Sequence, residues 1–259
     1  MQILYIILFF ILGTCLGSFY TVVGLRLPRG EGFCFSRSYC DECKHELSFI
    51  EMIPIVSYIF LKGRCRWCSS KINSLSTYIE FFTGLLFAVA FYSYGYTYDL
   101  LIALGIISLL VIVLVCDLTY LIIPDEVLVF FSLYFIAIQF LKLGFMGMLS
   151  HIGIGIFLFI VMYLIMLIGN KVFKKESMGG GDVKMMFLFG LVLDPLLGVL
   201  TIFIGSLFAL PLSLYLYFSK QENVIPFGPF LVIAFAFIFF MKLTPEQFIH
   251  FLGLAQMKS

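Results

Sequence analysis

The residues best suited to chemistry in this sequence are two acids, Asp117 and Asp182, which stand where long apolar segments meet water. Asp117 follows the uncharged run 100–116, and Asp182 follows three glycines and precedes another apolar run. A carboxylate at or near membrane depth is energetically expensive, so it is a functional candidate by default. Two carboxylates that share a proton can hydrolyse a peptide bond, because one activates water while the other donates to the carbonyl oxygen.

The glycines at 179–181 support this interpretation, because glycine lets a substrate strand approach closely and adopt unusual dihedral angles. Helix dipoles favour an anion at Asp182, at a helix start, and a neutral acid at Asp117, at a helix end. We therefore expect Asp182 to be the resting base and Asp117 the resting acid. The simpler alternative makes Asp182 an ordinary helix N-cap, with Asp117 and Asp125 marking a membrane boundary.

The elements that must position these acids are predicted to be transmembrane helices. Of 259 residues, 62% are hydrophobic and 12% are charged, and the mean hydropathy is +1.11, which excludes a soluble domain. We expect an all-α polytopic membrane protein with about eight transmembrane helices. The predicted spans are the apolar runs 3–25, 77–96, 100–116, 127–141, 148–169, 183–193, 196–218 and 227–241. The run 183–193 is short enough for a partial or tilted span, and the first run lacks the features of a removable signal peptide.

Lysine and arginine predict the orientation of these spans. Thirteen of the sixteen fall on one side, eight of them within 26–75, and this side is predicted to be cytoplasmic. The opposite side has only Lys142, Lys242 and Lys258. The turns bearing both acids are therefore expected to face the cytoplasm, with both termini outside. No basic stripe with interleaved aromatic residues indicates nucleic acid as a partner.

The polar stretch 26–75 contains four cysteines in two close pairs, Cys40 with Cys43 and Cys65 with Cys68. Two C-x2-C turns supply the four thiolates of a closed, tetrahedral zinc site. About fifty residues bury too little apolar area to fold alone, so a metal cross-link has a structural purpose. A cytoplasmic location argues against disulfides. Redox-active or incidental cysteines are the alternative.

Five further residues receive simpler interpretations. Cys15, Cys34 and Cys116 are interpreted as small buried hydrophobic residues. His45 is a substitute ligand candidate, although four cysteines already complete a zinc shell. Glu80, one turn into the second predicted span, is expected either to line the site or to extend its carboxylate to the membrane surface.

Five motifs then follow one another in the order of a known family. They are Gly17-Ser18-Phe19 through Arg26-Leu27-Pro28, the two cysteine pairs with Ile53-Pro54 and Lys62-Gly63-Arg64 between them, Asp117-x5-Ile123-Pro124-Asp125, Gly179-Gly180-Gly181-Asp182-Val183-Lys184, and Ile225-Pro226-Phe227-Gly228-Pro229. The chain resembles the bacterial type IV prepilin leader peptidases, which are intramembrane aspartyl proteases with a G-x-G-D motif. The resemblance covers nearly the whole chain.

The resemblance implies that Asp117 and Asp182 are the catalytic pair and that Asp125 is a supporting acid, with Gly179, Gly181 and Lys184 beside them. It implies that the substrates are prepilins or pseudopilins, whose short basic leader is cut after glycine at the cytoplasmic face of the bacterial inner membrane. Many members also methylate the new amino terminus with S-adenosylmethionine. Pilus or secretion assembly machinery would then be an indirect partner. No residue that binds S-adenosylmethionine is identified.

The sequence departs from the family pattern at Thr21, Asp41, Met52 and Ser76-Thr77. None of these residues is one of the two acids, so the resemblance implies proteolysis more directly than it implies methylation. The predicted organisation is a first transmembrane helix at 1–25, a four-cysteine zinc loop at 26–75 and a protease core at 76–259. A proton-coupled transporter that relays protons through Asp117 and Asp182 is the alternative, and a membrane adaptor with structural acids is a third.

Overall fold

The computed structural model describes residues 1–32, 38–40, 42–174, 178–218 and 226–245. Several residues named above lie outside this part of the chain. They are Cys34, Asp41, Ile225 and Lys258. Within the described part the protein is helical, without a β-strand longer than an isolated bridge. The predicted all-α class is therefore confirmed.

Eight α-helices and one short 3-10 helix follow one another along the described chain. They are α1 (Gln2–Arg26), the 3-10 helix Leu27–Arg29, α2 (Val56–Phe60), α3 (Leu75–Tyr94), α4 (Tyr98–Tyr120), α5 (Asp125–Phe173), α6 (Gly180–Gly190), α7 (Pro195–Phe218) and α8 (Gly228–Phe240). The short α2 belongs to the polar region between α1 and α3, and the other α-helices form an apolar bundle.

Helix α4 is the centre of this bundle, because it is apolar on all faces and buried along most of its length. It contacts α1, α3, α5 and α8. Helices α1 and α3 pack very closely, since a Cβ atom at Gly13 would lie 2.8 Å from the Cα atom of Gly84. Small residues at such contacts let helix backbones approach in a bilayer. Asp117, near the end of α4, thus lies on the most enclosed helix of the described chain.

Five helices of the described chain are long and apolar enough to cross a membrane. They are Gln2–Arg29, Leu75–Tyr94, Tyr98–Tyr120, Asp125–Val172 and Pro195–Leu216. Helices α6 and α8 are shorter, with 11 and 13 residues. At 1.5 Å per residue they are roughly 17 and 20 Å long, less than the hydrocarbon thickness of about 30 Å. The count of eight spans therefore stays a prediction.

Helix α5 contains two of the predicted spans, 127–141 and 148–169, in one element of 49 residues. Gly144 interrupts it with φ 73° and ψ −174°, a conformation that glycine adopts without strain. Leu128 and Ser132 from before this interruption line the same cavity as Phe159 from after it. The two halves therefore turn back toward each other, as two adjacent spans would.

Candidate active site and metal centre

Asp117 lies in the last turn of α4 and is 6% exposed. The helix ends at Tyr120, and the next residue, Leu121, has a φ of 55° that turns the chain away from the helix axis. Ile123 and Pro124 then lead directly into α5, which begins at Asp125. This short connection holds the end of α4 against the start of α5.

Asp182 lies in the first turn of α6 and is 7% exposed. Gly179 is the N-cap of this helix, and its carbonyl oxygen accepts a hydrogen bond from the backbone N–H of Asp182 at 3.2 Å. The side chain of Ile123 packs on Gly181, where a Cβ atom would lie 3.1 Å from the Ile123 Cβ atom. Glycine at position 181 thus lets the start of α6 approach the connection after α4.

The two carboxylates converge on Gly228, the first residue of α8. A Cβ atom at Gly228 would lie 3.0 Å from Oδ2 of Asp117 and 3.4 Å from Oδ1 of Asp182. The distance between these two oxygens cannot exceed the sum of those values, which is close to the reach of one bridging water. The two groups interact electrostatically. Their burial is nearly equal and does not separate the resting acid from the resting base, so that assignment stays a prediction.

Both acids line one cavity of about 580 Å³, and the ends of four helices surround this cavity. Residues 179–181 form one wall, and Ile123, Pro226 and Phe227 form others. The volume falls within the range of about 300–1,000 Å³ that is typical of ligand sites. A peptide segment placed there would meet glycine backbone on one side and two carboxylates on the other.

Asp125 and Lys184 form an ion pair at the edge of this cavity. The Lys184 Nζ atom donates to the two oxygens of Asp125 at 2.7 and 2.8 Å, and both side chains are largely exposed. The pair joins the start of α5 to α6. Asp125 is thus near the two buried acids but is engaged with a lysine, in a different environment from theirs.

The four predicted cysteine ligands come together outside the bundle. The Sγ atoms of Cys40, Cys43, Cys65 and Cys68 all lie within 4.8 Å of one another, with distances of 3.8 Å for Cys40 to Cys68 and 4.0 Å for Cys43 to Cys65. Four thiolates about 2.3 Å from a tetrahedral zinc ion would be roughly 3.8 Å apart. The cluster therefore has the size of a zinc site, and its sulfurs are too far apart for disulfides.

The two cysteine turns have nearly the same backbone. The N–H groups of Lys44 and Ser69 donate to the carbonyls of Cys40 and Cys65 at 2.9 and 3.0 Å, and both residues have positive φ. Hydrogen bonds from the Cys43 backbone and the Ser70 side chain lower the pKa of Cys40 to about 6. At Cys43 the His45 backbone is outweighed by desolvation and by hydrogen bonds to the other three thiols, which raise the pKa of Cys43 to about 11. A thiol that ionises readily is suited to metal binding, because the thiolate is the ligand.

The remaining candidates have other surroundings. His45 contacts the ring of Trp67 at 4.3 Å between centroids and lies outside the sulfur cluster. Cys116 is buried, as predicted, and donates to the Gly24 carbonyl, whereas Cys15 is exposed on α1, contrary to the prediction. The reason is that Cys15 is on a face of α1 that no described helix covers. Glu80 is buried and accepts a hydrogen bond from the Ile55 N–H at 2.8 Å, so it neither lines the acid cavity nor extends to the surface.

Sequence reasoning missed the role of Gly228 and Ile123 as the contact points of the two acids. Both residues were part of the quoted motifs, but nothing in their local sequence connects α4 with α8. The only local signal was a glycine followed by proline at the start of an apolar run, which indicates a helix N-terminus.

The fold and the site define a helical membrane protein in which two buried carboxylates share a cavity and four thiolates form a metal-sized cluster. Residues 11–94 match the family model described as bacterial peptidase A24 N-terminal domain, and residues 104–214 match that of the type IV leader peptidase family. The chain belongs to the type IV leader peptidase family.

Several relatives carry the name prepilin leader peptidase/N-methyltransferase. The Myxococcus xanthus protein is 37% identical over 76% of this chain and 59% of its own length. The Bacillus subtilis protein is 32% identical over 85% of this chain and 88% of its own. The Vibrio cholerae protein is 30% identical over 93% and 98%. The chain thus spans less than two thirds of the first relative but nearly all of the other two. No solved structure matches the chain.

Proposed function

We propose that this protein is an intramembrane aspartyl endopeptidase that removes the leader of prepilins or pseudopilins, with Asp117 and Asp182 as its catalytic pair. The observation that carries the proposal is the convergence of both carboxylates on Gly228 within one cavity. Membership of the type IV leader peptidase family supports it, because relatives are named for this activity. A proton-coupled transporter is not favoured by these relatives.

In the proposed mechanism, one member of the pair is ionised and the other is protonated. The ionised carboxylate takes a proton from a water molecule as the water oxygen attacks the scissile carbonyl carbon. The protonated carboxyl group donates its proton to the carbonyl oxygen, which gives a neutral tetrahedral diol. The C–N bond then breaks as a proton moves to the leaving nitrogen, and the pair again holds one proton.

The other residues at the cavity would position the substrate and the acids. Gly179 and Gly181 leave space for an extended substrate backbone beside Asp182. The ion pair between Lys184 and Asp125 would keep α5 and α6 in register, so that Asp182 stays opposite Asp117. Asp125 is therefore a supporting residue in this proposal and Lys184 its partner.

The proposal includes the orientation derived from lysine and arginine. The acid cavity would open to the cytoplasm, the protein would lie in the bacterial inner membrane with about eight spans, and cleavage would follow a glycine after a short basic leader. Pilus or secretion machinery would use the processed product. The thirteen-to-three distribution of cationic residues supports this orientation.

We further propose that the four cysteines hold a structural zinc ion, which would cross-link the two C-x2-C turns. The names of the relatives support a second activity, the transfer of a methyl group from S-adenosylmethionine to the new amino terminus. No residue of this chain is assigned to that transfer.

The test is co-expression with a prepilin substrate, with leader removal followed by gel mobility and by mass spectrometry of the product. Cleavage should occur with the wild-type protein and should cease with Asp117→Asn or with Asp182→Asn. Each variant must accumulate in the membrane at the wild-type level. Cleavage that persists in either variant would remove that residue from the pair.

A further inference from the structure

One segment of the cysteine region exposes several large apolar side chains close together in the sequence. Within the apolar segment, defined as residues 49–60, Phe49 is 86% exposed and Phe60 is 82% exposed, and Ile50 and Ile59 are also exposed. For comparison, Phe203 on the spanning helix α7 is 67% exposed, which is less than Phe49 or Phe60. Exposed apolar surface of this density marks an interaction site rather than a face in water.

A partly buried hydrogen bond fixes the depth of the apolar segment relative to the bundle. The backbone N–H of Ile55 donates to Oε2 of Glu80 at 2.8 Å. Glu80 is the sixth residue of α3, so it lies about 7–8 Å along the helix from Leu75. Ile55 has φ 62°, a conformation that costs energy in a β-branched residue and therefore needs such a bond to hold it. The segment thus lies beside the first turns of a membrane helix.

The outer surface of α3 at this level is apolar as well. Tyr78 and Phe82, on either side of Glu80 in sequence, are both exposed. On a predicted spanning helix these residues face lipid. The apolar segment is therefore held at the height where the lipid-facing surface of α3 begins.

A short cationic run follows the apolar segment directly. Lys62, Arg64 and Arg66 are all exposed, the first two on the turn after α2 and the third between Cys65 and Cys68. Apolar side chains next to lysine and arginine are typical of segments that lie in a membrane interface, where the cations attract anionic headgroups.

We propose that residues 49–60 dock onto the bilayer itself. The exposed apolar side chains lie at the boundary between headgroups and acyl chains, and the three cations contact anionic headgroups. The cysteine region is then fixed to the membrane surface by this segment as well as by α1 and α3. The proposal needs only a chain in a bilayer and is independent of the peptidase proposal.

Fluorescence quenching by brominated lipids tests the docking directly. Trp67 is the only tryptophan of the chain, so Trp67→Phe gives a background into which Phe60→Trp or Phe49→Trp is introduced. The full-length variants are placed in nanodiscs whose lipids carry bromine near the glycerol end of the acyl chains. Tyr78→Trp in the same background is the control on α3.

Docking predicts that tryptophan at 60 and at 49 is quenched by the brominated lipid nearly as strongly as tryptophan at 78. Strong quenching by acrylamide with no quenching by brominated lipid would place the segment in water and overturn the proposal. Protection from both quenchers would mean that protein covers the segment, and would overturn it as well. The two positions are tested separately, so that misfolding of one variant does not decide the result.

The cationic contribution is tested in the Phe60→Trp protein. Lys62→Gln, Arg64→Gln and Arg66→Gln are combined, and quenching is compared in anionic and zwitterionic nanodiscs. We expect stronger quenching in anionic lipid before the triple substitution and equal quenching in the two lipids after it. Equal quenching before the substitution would show that the three cations do not contact anionic headgroups.

Discussion

Replacing Gly228 by alanine tests whether the two acids act together at one point. Gly228 has no positive φ and begins a helix, so the backbone accepts alanine without strain. The added methyl group would lie 2.9 Å from Cδ1 of Ile123 and 3.0 Å from Oδ2 of Asp117. Ordinary contacts of this kind are about 3.5–4.0 Å. The neighbouring atoms must therefore move by roughly 0.5 Å or more, or the methyl group must occupy the space between the acids.

Both outcomes impair catalysis more than they impair folding. A misplacement of about 1 Å at a reacting centre can reduce turnover on the order of 100-fold, so we expect a loss of about 10- to 100-fold in the rate of leader removal. Overpacking of this size lowers the free energy of unfolding by about 1–3 kcal/mol. The rate is measured with purified enzyme and prepilin in detergent, and stability by thermal unfolding in the same detergent.

Gly153→Ala is the matched control. Gly153 is also helical, but a Cβ atom there would have no heavy atom within 4 Å, and the residue does not line the acid cavity. We expect its activity and unfolding temperature to match the wild type. A folded Gly228→Ala enzyme with activity within about twofold of the control would refute the view that catalysis requires the carboxylates at this position.

Further outcomes test the remaining parts of the site. Asp117→Asn and Asp182→Asn should each reduce leader cleavage to background, and a double variant should be no worse than either single one, since residues that act as a unit are not additive. Lys184→Met should lower the free energy of unfolding by less than about 1 kcal/mol, because its ion pair is largely exposed, and a larger loss would show that the pair has a greater structural role. Cys40→Ser and Cys65→Ser should each remove the bound zinc in elemental analysis. Acidification should release the metal as the thiolates take up protons, and a metal content that does not change with pH in the folded protein would contradict a thiolate site.

The cysteine cluster was predictable because its information is local. A C-x2-C turn closes through hydrogen bonds within a few residues, and both pairs here form the same turn. The sequence could not predict the neighbours of this region. Ile55 is 25 residues from Glu80, and only the packing of the segment on α3 brings the N–H to the carboxylate.

The sequence predicted the membrane helices, but their number only approximately. Apolar runs predict helices, but whether two runs form separate spans depends on the turn between them. At Gly144 one glycine with positive φ interrupts a helix that otherwise continues from 125 to 173. Burial was also not predictable for single residues, since Cys15 and Cys116 both lie in apolar runs and only Cys116 is covered by neighbouring helices.

The sequence by itself determined the membrane class, the two candidate acids and the four candidate thiol ligands, because composition and short motifs depend on residues that are adjacent in the chain. Only the tertiary structure decided that Asp117 and Asp182 meet at Gly228, since α4, α6 and α8 are brought together by packing and not by local sequence. The physical reason is that two carboxylates act as a pair only when each is positioned to within about 1 Å. That precision comes from Gly181 and Gly228, where the absence of a Cβ atom admits Ile123 and, at Gly228, the acids themselves.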